Sequence, residues 1–416
     1  MKRMNIMKTE RPYARFYVTP KGERWLATGH PWVYDAEITR REGECENGGL
    51  VDVLSQKGKY LGTGFLSETS KIRVRLISRN ANDKFDDAFF ERRLRWAWEY
   101  RKTVLDSLTG CSHPNGRIIF GEADQFPGLT VDLFNDVLVV QVLSLGMELR
   151  KEKLLRTLAA IMEEDGIAIR GVYERNDVAI RAHEGLGEGK GWLFCKHDPE
   201  QTKTIINENG ILYEVDFENG QKTGFFLDQK FNRRAVGNIA AGKTVLDCFT
   251  HTGSFALNAA KGGAKSVTAV DISALAVAET NENIRRNSLE NVVTCVEADV
   301  FDYLSGGSVK PGQYDFIILD PPAFTKSRKT VESAMRGYKE INLRAMKLLP
   351  RGGYLATCSC SHFATEELFI KMLHSAAADA GVSLRQIEAR QQAPDHPILW
   401  NVEETNSLKF FLFQVV

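Results

Sequence analysis

The chain contains 416 residues, and its 54 Lys and Arg side chains balance its 54 Asp and Glu side chains, so the formal charge is zero. A chain without net charge must bind any nucleic acid through local basic patches. The seven cysteines include no Cys-x-x-Cys pair, which argues against disulfides or a metal site and predicts a reducing, cytoplasmic location. The length predicts two or three domains. There is no signal-peptide core and no run of about 18 apolar residues, so we expect no membrane partner.

Residues 12–80 have the pattern of a small β domain. The chain begins with a locally basic segment over residues 1–24. Short β-type runs then alternate with Gly and polar turns, at residues 15–18, 49–54, 60–65 and 72–77. This spacing predicts a β-barrel or sandwich. An aromatic and proline cluster at residues 29–34 interrupts the runs, and we interpret it as core and turn packing.

Residues 81–190 have the pattern of a small α+β domain. An amphipathic helix is predicted over residues 85–104, in a basic stretch whose charges indicate either a solvated face or a nucleic-acid contact. Further strands, a helix and a Gly-rich boundary follow, at residues 116–120, 129–133, 137–143, 149–163 (helix), 169–174, 177–181 and 185–191 (boundary).

Residues 191–416 begin with a hairpin-like pair near residues 205–217 and continue as alternating strands and helices. The strands are predicted near residues 244–247, 266–270, 292–296, 314–319, 353–357 and 408–415. This alternation predicts a mostly parallel, doubly wound sheet whose ligand lies beyond the carboxyl ends of the strands. Five residues with ionisable side chains lie at or just after the ends of these strands, so all five could line one crevice: Asp247, Asp271, Asp299, Asp320 and Cys360.

The turn from Asp247 to Gly253 has the form of a strand feeding a helix. Asp271 follows Gly253 near the distance, about 20 residues, at which a nucleotide-binding βαβ unit places its ribose-binding acid. The turn lacks the G-x-G-x-x-G spacing that brings backbone close to a pyrophosphate, which argues against a nicotinamide dehydrogenase. A nucleoside without phosphate, such as S-adenosylmethionine (SAM), fits better. An ordinary α/β turn with an incidental acid is the alternative.

The strand at residues 314–319 runs directly into Asp320-Pro-Pro. The two prolines force an extended exit that would hold Asp320 at the sheet edge, where a substrate base could lie. A strand end beside a solvated acid is the alternative interpretation. Residues 321–351 carry eight basic side chains against two acidic ones, which suits contact with a phosphate backbone.

The fifth strand ends in Cys358-Ser-Cys360. Two cysteines at a strand end could simply be small buried side chains. Beside a SAM crevice, however, a thiolate has the chemistry for methylating C5 of a pyrimidine: it adds to C6, an acid engages N3, and the enamine attacks the methyl group. Because side chains alternate along a strand, residues 358 and 360 point to the same side, so the spacing does not choose between the two cysteines.

Taken together, these motifs resemble one family, and the resemblance covers nearly the whole chain. They are Gly29-His-Pro-Trp-Val-Tyr34, Asp124-Gln-Phe-Pro-Gly-Leu-Thr-Val-Asp132, Gln221-Lys-Thr-Gly-Phe-Phe-Leu-Asp-Gln229, Asp247-Cys-Phe-Thr-His-Thr-Gly253, Asp320-Pro-Pro-Ala-Phe324, Arg336-Gly-Tyr-Lys-Glu-Ile-Asn342, Cys358-Ser-Cys-Ser361 and Ala393-Pro-Asp-His-Pro397. The chain resembles class I SAM-dependent large-subunit ribosomal RNA methyltransferases of the cytosine-C5 type. This resemblance implies a PUA-like RNA-binding domain (12–80), a middle EEHEE domain (81–190) and a Rossmann-like catalytic domain (191–416).

The resemblance also implies roles for individual residues. Cys360 would be the nucleophile and Asp320 would contact the target base or the methyl donor. The residues implied in SAM binding are Lys222, Thr223, Gly224, Phe225, Phe226, Asp247, Phe249, Thr250, His251, Gly253, Asp271 (ribose), Asp299 (adenine) and Asp320. One feature departs from other RNA cytosine-C5 families, which place a second cysteine after proline in the Asp320 motif. This chain has Pro322-Ala323 there, so product release is unassigned and Cys358 is a weak candidate.

We therefore expect 5-methylcytidine formation in large-subunit ribosomal RNA. Two alternatives stay open at this point. Enzymes that methylate a base nitrogen, such as guanine N7, share the Asp-Pro-Pro pattern, and a non-catalytic RNA-binding ribosome-assembly factor could keep the same fold. The sequence also leaves homodimerisation open.

Overall fold

The computed structural model describes residues 11–105, 108–325 and 327–416. The first ten residues of the basic N-terminal segment and Lys326 lie outside these residues. The chain divides into two units, each described by itself. The first contains the chain up to Ile206 with Val215–Phe225 and Pro394–Thr405, and the second contains Asn207–Glu214, Phe226–Ala393 and Asn406–Val416.

The first unit begins with a six-stranded sheet of order β2-β6-β5-β4-β1-β3. Its strands are β1 (Ala14–Val18), β2 (Trp32–Tyr34), β3 (Ile38–Glu42), β4 (Leu50–Ser55), β5 (Tyr60–Leu66) and β6 (Ile72–Ser78). Helix α1 (Pro20–Ala27) follows β1, because Thr19 accepts a hydrogen bond from Gly22 N and Pro20 opens the first turn. The four predicted strands are present; α1, β2 and β3 were not predicted.

A five-stranded sheet of order β11-β10-β9-β8-β7 follows in the same unit. Its elements are α2 (Asp87–Val104), β7 (Asn115–Phe120), β8 (Leu129–Phe134), β9 (Val137–Val142), α3 (Leu145–Glu148), α4 (Lys151–Glu164), β10 (Gly171–Arg175) and β11 (Lys190–Cys195). Three strands precede α4 and two follow it. β11 pairs with β10, so this sheet extends beyond residue 190; the three-domain boundaries stay a prediction.

Two expectations for this region were wrong in detail. Residues 177–181 are not a strand, because the chain turns into a 3-10 helix at Ala179–Glu184 after Arg175 pairs with Asp177 at 3.0 Å. The basic side of α2 is not wholly solvated either. Arg101 is fully buried and forms a two-pronged ion pair with Asp124, with N–O distances of 2.5 and 2.6 Å.

The predicted hairpin consists of β12 (Lys203–Glu208) and β13 (Ile211–Asp216). Asn209 and Gly210 form the two-residue connection, and both have positive φ values, 56° and 77°. An Asn-Gly pair adopts this conformation readily and matches the twist of the paired strands.

The second unit is built on a seven-stranded sheet of order β16-β15-β14-β17-β18-β20-β19. Its strands are β14 (Thr244–Cys248), β15 (Ser266–Asp271), β16 (Val293–Glu297), β17 (Phe316–Leu319), β18 (Tyr354–Ser359), β19 (Leu384–Arg390) and β20 (Lys409–Val415). Its helices are α5 (Lys230–Ile239), α6 (Ser254–Lys261), α7 (Ala274–Arg286), α8 (Val300–Ser305), α9 (Val331–Leu348) and α10 (Glu366–Ala380). The first five strands are parallel, and β20 pairs antiparallel with both of its neighbours, β18 and β19. The doubly wound prediction is confirmed.

The core of the second unit lies against the central strands. All four residues of β17 are fully buried, as expected for a parallel strand covered on both faces. A cluster of apolar side chains from α9 and α10 packs there, including Tyr338, Ile341 and Phe369. The sheet that carries the acids is therefore a rigid platform. Among the helices of the described residues, none combines the length and hydropathy that crossing a membrane requires.

A buried ion pair fixes the entry to this sheet. The guanidinium of Arg233, on α5, donates to both carboxylate oxygens of Glu208 at 2.6 and 2.9 Å, and both side chains are buried. Arg233 also donates to the carbonyl oxygen of Phe226 at 2.7 Å. The pair thereby holds residue 226 in place.

Replacing Glu208 by Gln leaves the Arg233 charge buried without its counter-charge. The free energy of unfolding is expected to fall by about 3–5 kcal/mol, measured by urea denaturation. Glu282→Gln, in an exposed pair with Arg285, is the control and should cost less than about 1 kcal/mol. Equal effects of the two substitutions would show that the Glu208 pair contributes no more than a surface pair.

Candidate active site at the strand ends

Asp247, near the end of β14, is fully buried. One carboxylate oxygen accepts hydrogen bonds from the Thr250 hydroxyl (2.5 Å) and from Ala256 N (3.0 Å). The other oxygen has no hydrogen-bond partner among the described residues. Burial raises the pKa of Asp247 to about 7, and the nearby Asp320 and Asp271 act in the same direction. Asp247 thus ties the turn after β14 to the first residues of α6.

The turn itself adopts an unusual backbone. Phe249 and His251 have φ values of 63° and 53°, which is uncommon for side chains of this size. Gly253 has a φ of 79°, and a Cβ there would lie 2.7 Å from the Thr280 side chain. Thr280 also donates to the carbonyl oxygen of His251 at 2.8 Å. The turn is therefore held in one conformation by its neighbours.

Asp271 is the last residue of β15, and Asp299 follows the end of β16. Asp271 accepts hydrogen bonds from His251 N and Ser273 N, both at 2.9 Å, one on each carboxylate oxygen. Asp299 caps helix α8 by accepting from Asp302 N at 3.2 Å. A carboxylate oxygen can accept a second hydrogen bond, so both acids keep capacity for ligand hydroxyl or amino groups. Three acids thus stand at the ends of three adjacent strands, as predicted from their spacing.

Asp320 lies at the end of β17, on the other side of β14. Gln229 donates an amide hydrogen to Asp320 at 3.1 Å, and Asn232 in turn donates to Gln229 at 2.7 Å. The carboxyl group of Asp320 is therefore oriented by a short polar chain from α5. Sequence reasoning did not single out Gln229 or Asn232 for this role.

The two cysteines after β18 differ in exposure. Cys358 is fully buried within the strand, and its thiol makes hydrogen-bonding contacts with Gln229 and Asp320. Burial, reinforced by the Asp320 charge, raises the pKa of Cys358 well above its usual range. Cys360 lies just beyond the strand and is partly exposed. Exposure distinguishes the two thiols where alternation along the strand did not.

The turn that carries Cys360 is fixed by hydroxyl groups. The Tyr338 hydroxyl hydrogen-bonds with the hydroxyls of Ser359 (3.1 Å) and Ser361 (2.9 Å). The buried Lys409 donates to the carbonyl oxygen of Ser361 at 2.8 Å. Sequence reasoning did not identify Lys409. The signal that could have found it is a single lysine at the start of the apolar run of β20.

The predicted SAM-contact segment 222–226 is divided between the units. In the first unit, the buried Thr223 donates to Asp132 at 2.5 Å, and Arg117 pairs with the same carboxylate at 2.7 and 2.8 Å. Lys222 has a φ of 52°, and a Cβ at Gly224 would lie 2.7 Å from Val215.

Arg117 also connects this cluster to a motif much later in the chain, because its backbone N donates to Asp395 at 2.9 Å. The motifs that end at Asp132 and include Asp395 therefore support the 222–224 turn, a role that spacing alone did not indicate. In the second unit, the Phe226 ring lies 5.1 Å from that of His251.

Comparison with known proteins agrees with this geometry. A family model for S-adenosylmethionine-dependent methyltransferases matches residues 114–414, and a model for PUA-like domains matches residues 16–79. The chain therefore belongs to the SAM-dependent methyltransferase family, and SAM is its methyl donor.

The names of individual relatives are more specific than the name of the family. Ribosomal RNA large subunit methyltransferase I of Aeromonas salmonicida is 40% identical over 385 residues, 92% of this chain and 94% of the relative. The protein of that name from Klebsiella pneumoniae strain 342 is 36% identical over 414 residues, 98% and 100% of the two chains. A crystallised methyltransferase complexed with SAH has a TM-score of 0.78 and 25% identity, covering 96% of this chain and 100% of that one.

The residues at the strand ends fit the methyl donor. SAM presents ribose hydroxyls and an adenine amino group, which are hydrogen-bond donors. Asp271 and Asp299 present carboxylate oxygens with remaining acceptor capacity. Asp247 carries a buried oxygen without a partner among the described residues.

The buried Asp247 carboxyl predicts a pH dependence of stability. Because burial raises its pKa from 3.8 to about 7, the folded chain holds this proton more tightly than the unfolded chain. The stability that it contributes is present at low pH and lost as the pH rises through about 7. The loss is expected to be on the order of 4 kcal/mol.

Asp247→Asn imitates the protonated carboxyl and should remove this fall in stability between about pH 4 and 7. Chemical denaturation across that pH range is the measurement, with the exposed Glu290→Gln as the control. A wild-type pH dependence retained by Asp247→Asn would contradict the assignment.

Proposed function

We propose that this methyltransferase forms 5-methylcytidine in large-subunit ribosomal RNA through a thiolate adduct of Cys360. The observation that carries the proposal is a partly exposed cysteine just past the end of β18, beside β17, whose end carries Asp320. The proposed chemistry requires a thiol that attacks C6 and a carboxyl group that engages N3, and these two groups stand at adjacent strand ends.

The substrate class is supported by the relatives and by local charge. Two full-length relatives are named as large-subunit ribosomal RNA methyltransferases, and the N-terminal residues match a PUA-like domain. Helix α9 adds basic side chains such as Arg336 and Lys339 after the Asp320 motif. The target cytidine must be single-stranded or flipped out to reach a strand-end pocket. An rRNA substrate also places the reaction in the cytoplasm.

The chemistry follows from the two side chains. Bound SAM supplies an electrophilic methyl group. The Cys360 thiolate bonds to C6, the electron pair of the C5–C6 double bond moves towards C5, and the Asp320 carboxyl donates at N3. C5 then bonds to the methyl group while the methyl–sulfur bond of the sulfonium breaks, so the sulfur keeps that electron pair and S-adenosylhomocysteine leaves. Removal of the C5 proton by a base re-forms the double bond and expels the Cys360 thiolate.

Residues around β14 to β16 serve the donor in this proposal. Asp271 would accept from the ribose hydroxyls, Asp299 would accept from the adenine amino group, and residues 249–253 would form the turn against the nucleoside. The conformation that Asp247 and Thr280 impose on this turn supports the assignment, because a preorganised loop loses little entropy on binding. The roles of Lys222, Thr223, Gly224, Phe225 and Phe226 stay predictions.

Asp271→Ala should weaken SAM binding by about 10–150-fold, because hydrogen bonds to a charged group contribute about 1.5–3 kcal/mol. Isothermal titration calorimetry measures the affinity. The exposed Asp302→Ala is the control and should bind SAM like the wild type. An unchanged affinity in Asp271→Ala, with circular dichroism showing an intact fold, would refute the ribose assignment.

Cys360→Ala should reduce methyl transfer to large-subunit rRNA by at least about 1,000-fold, because C5 is a poor nucleophile without the thiolate adduct at C6. SAM affinity should remain close to wild type. RNA containing 5-fluorocytidine should trap a covalent adduct with the wild type and not with Cys360→Ala, seen by denaturing electrophoresis. Cys358→Ala is the matched control and should still form the adduct.

Full transfer by Cys360→Ala would exclude the thiolate mechanism. Mass spectrometry of rRNA nucleosides then identifies the rival reaction, since a base-nitrogen methyltransferase yields an N-methylated nucleoside and no 5-methylcytidine. Comparing rRNA from cells with and without the gene locates the modified nucleotide.

A further inference from the structure

A buried lysine lies next to the proposed nucleophile. Lys409 is the first residue of β20, only 6% exposed, and pairs with Ser359 of β18. Its ammonium donates to the carbonyl oxygens of Ser361 (2.8 Å) and Ser407 (3.0 Å). An ammonium carries three N–H groups, and the hydrogen bonds within the described residues use two of them. The side chain is thus held as a hydrogen-bond donor.

This cation has no ion-pair partner among the described residues. Lysines are almost never buried without a partner, because an unpaired charge in a low-dielectric interior is costly. Two ionisable groups attract the Lys409 charge: Cys360 first, and Glu366 of α10 second. Glu366 forms no ion pair or hydrogen bond with Lys409 among the described residues, whereas Lys409 pairs with Ser359 and donates to Ser361, the two neighbours of Cys360. The Cys360 thiol is therefore the group at the strand end that could carry the compensating negative charge.

The other titratable groups that face these two residues do not supply that compensation. Tyr338 and Cys358 both interact with Cys360, but burial raises the pKa of each above its usual range, so both are neutral near pH 7. Burial also lowers the pKa of Lys409 to about 8, and its attraction to Cys360 opposes this change. Near neutral pH, Lys409 is therefore charged while Tyr338 and Cys358 are not.

We propose that the Lys409 ammonium is the counter-charge that stabilises the Cys360 thiolate and keeps it ready for attack on C6. The inference rests on the proposed role of Cys360 and adds to it a positioning residue on a different strand. On ionisation, the thiol proton passes to water, and the ammonium keeps its protons because two backbone carbonyls accept from it. An opposite charge near a thiol favours the thiolate.

The test measures the ionisation of Cys360 without any substrate. Full-length protein is alkylated with iodoacetamide between pH 5 and about 10, and the rate at each cysteine is read by peptide mass spectrometry. Lys409→Met should raise the midpoint of Cys360 alkylation by about 1–3 pH units. The exposed Cys111 is the internal reference and should not shift.

Three further variants complete the design. Lys409→Gln keeps a hydrogen-bond donor but lacks the charge, so it should shift the Cys360 midpoint as Lys409→Met does. It keeps the test valid if the apolar side chain of Lys409→Met disturbs the fold. Lys409→Arg keeps the charge and should stay nearer to the wild type. Lys371→Met, at an exposed lysine of α10, should change nothing.

An unshifted Cys360 midpoint in a folded Lys409→Gln or Lys409→Met variant would overturn the inference. An equal shift in Lys371→Met would overturn it too, since the effect would then be general charge and not proximity. Failure of the proposed function looks different, because Cys360→Ala would then retain methyl transfer whatever the alkylation midpoints are.

Discussion

The structure of the second unit depends on the point at which its strand order reverses. From β14 the chain builds outwards to β15 and β16, and then returns to place β17 and β18 on the opposite side of β14. Connections that leave in opposite directions open a crevice at the carboxyl ends of the two central strands. Asp247 and Asp320 stand at these two ends, and their carboxyl groups repel each other when ionised. Burial of Asp247 lessens that repulsion by favouring its neutral form.

In the proposed reaction, this reversal would separate the methyl donor from the target base. The strand ends at β14, β15 and β16 carry acids with acceptor capacity, which suits a nucleoside with hydroxyl and amino donors. The ends at β17 and β18 carry a carboxyl group and a thiol, which suits chemistry on a base. Because parallel strands keep the spacing between neighbours fixed, the donor and the base would meet at a distance set by the sheet. The loops then need only orient the carboxyl groups of Asp271 and Asp320. The hydrogen bonds from His251 N to Asp271 and from Gln229 to Asp320 do this.

Much of this site could be predicted from the sequence, because buried parallel strands are short apolar runs and the residue after each run is easily read. Asp271, Asp320 and Cys360 were placed at strand ends on that basis. Burial of charged side chains could not be predicted in this way. Arg101 has the same place in a basic helix as a solvated arginine would have, yet it is buried, and its partners include Asp124 and the carbonyl oxygen of Arg117. Likewise, the link between Asp132 and Thr223 joins residues far apart in the chain, and no local pattern encodes it.

The antiparallel direction of β20 explains how a cation comes to lie near the proposed nucleophile, Cys360. In a parallel sheet, every strand presents its last residues at the reactive edge, and its first residues lie at the opposite edge. An antiparallel neighbour reverses this, so the first residue of β20 lies beside the last residue of β18. The strand can then keep its apolar run for the core, from Phe410 to Phe413, and still place one polar side chain at the strand end. The lysine is therefore positioned by sheet topology, and its ammonium is held there by hydrogen bonds to two carbonyl groups.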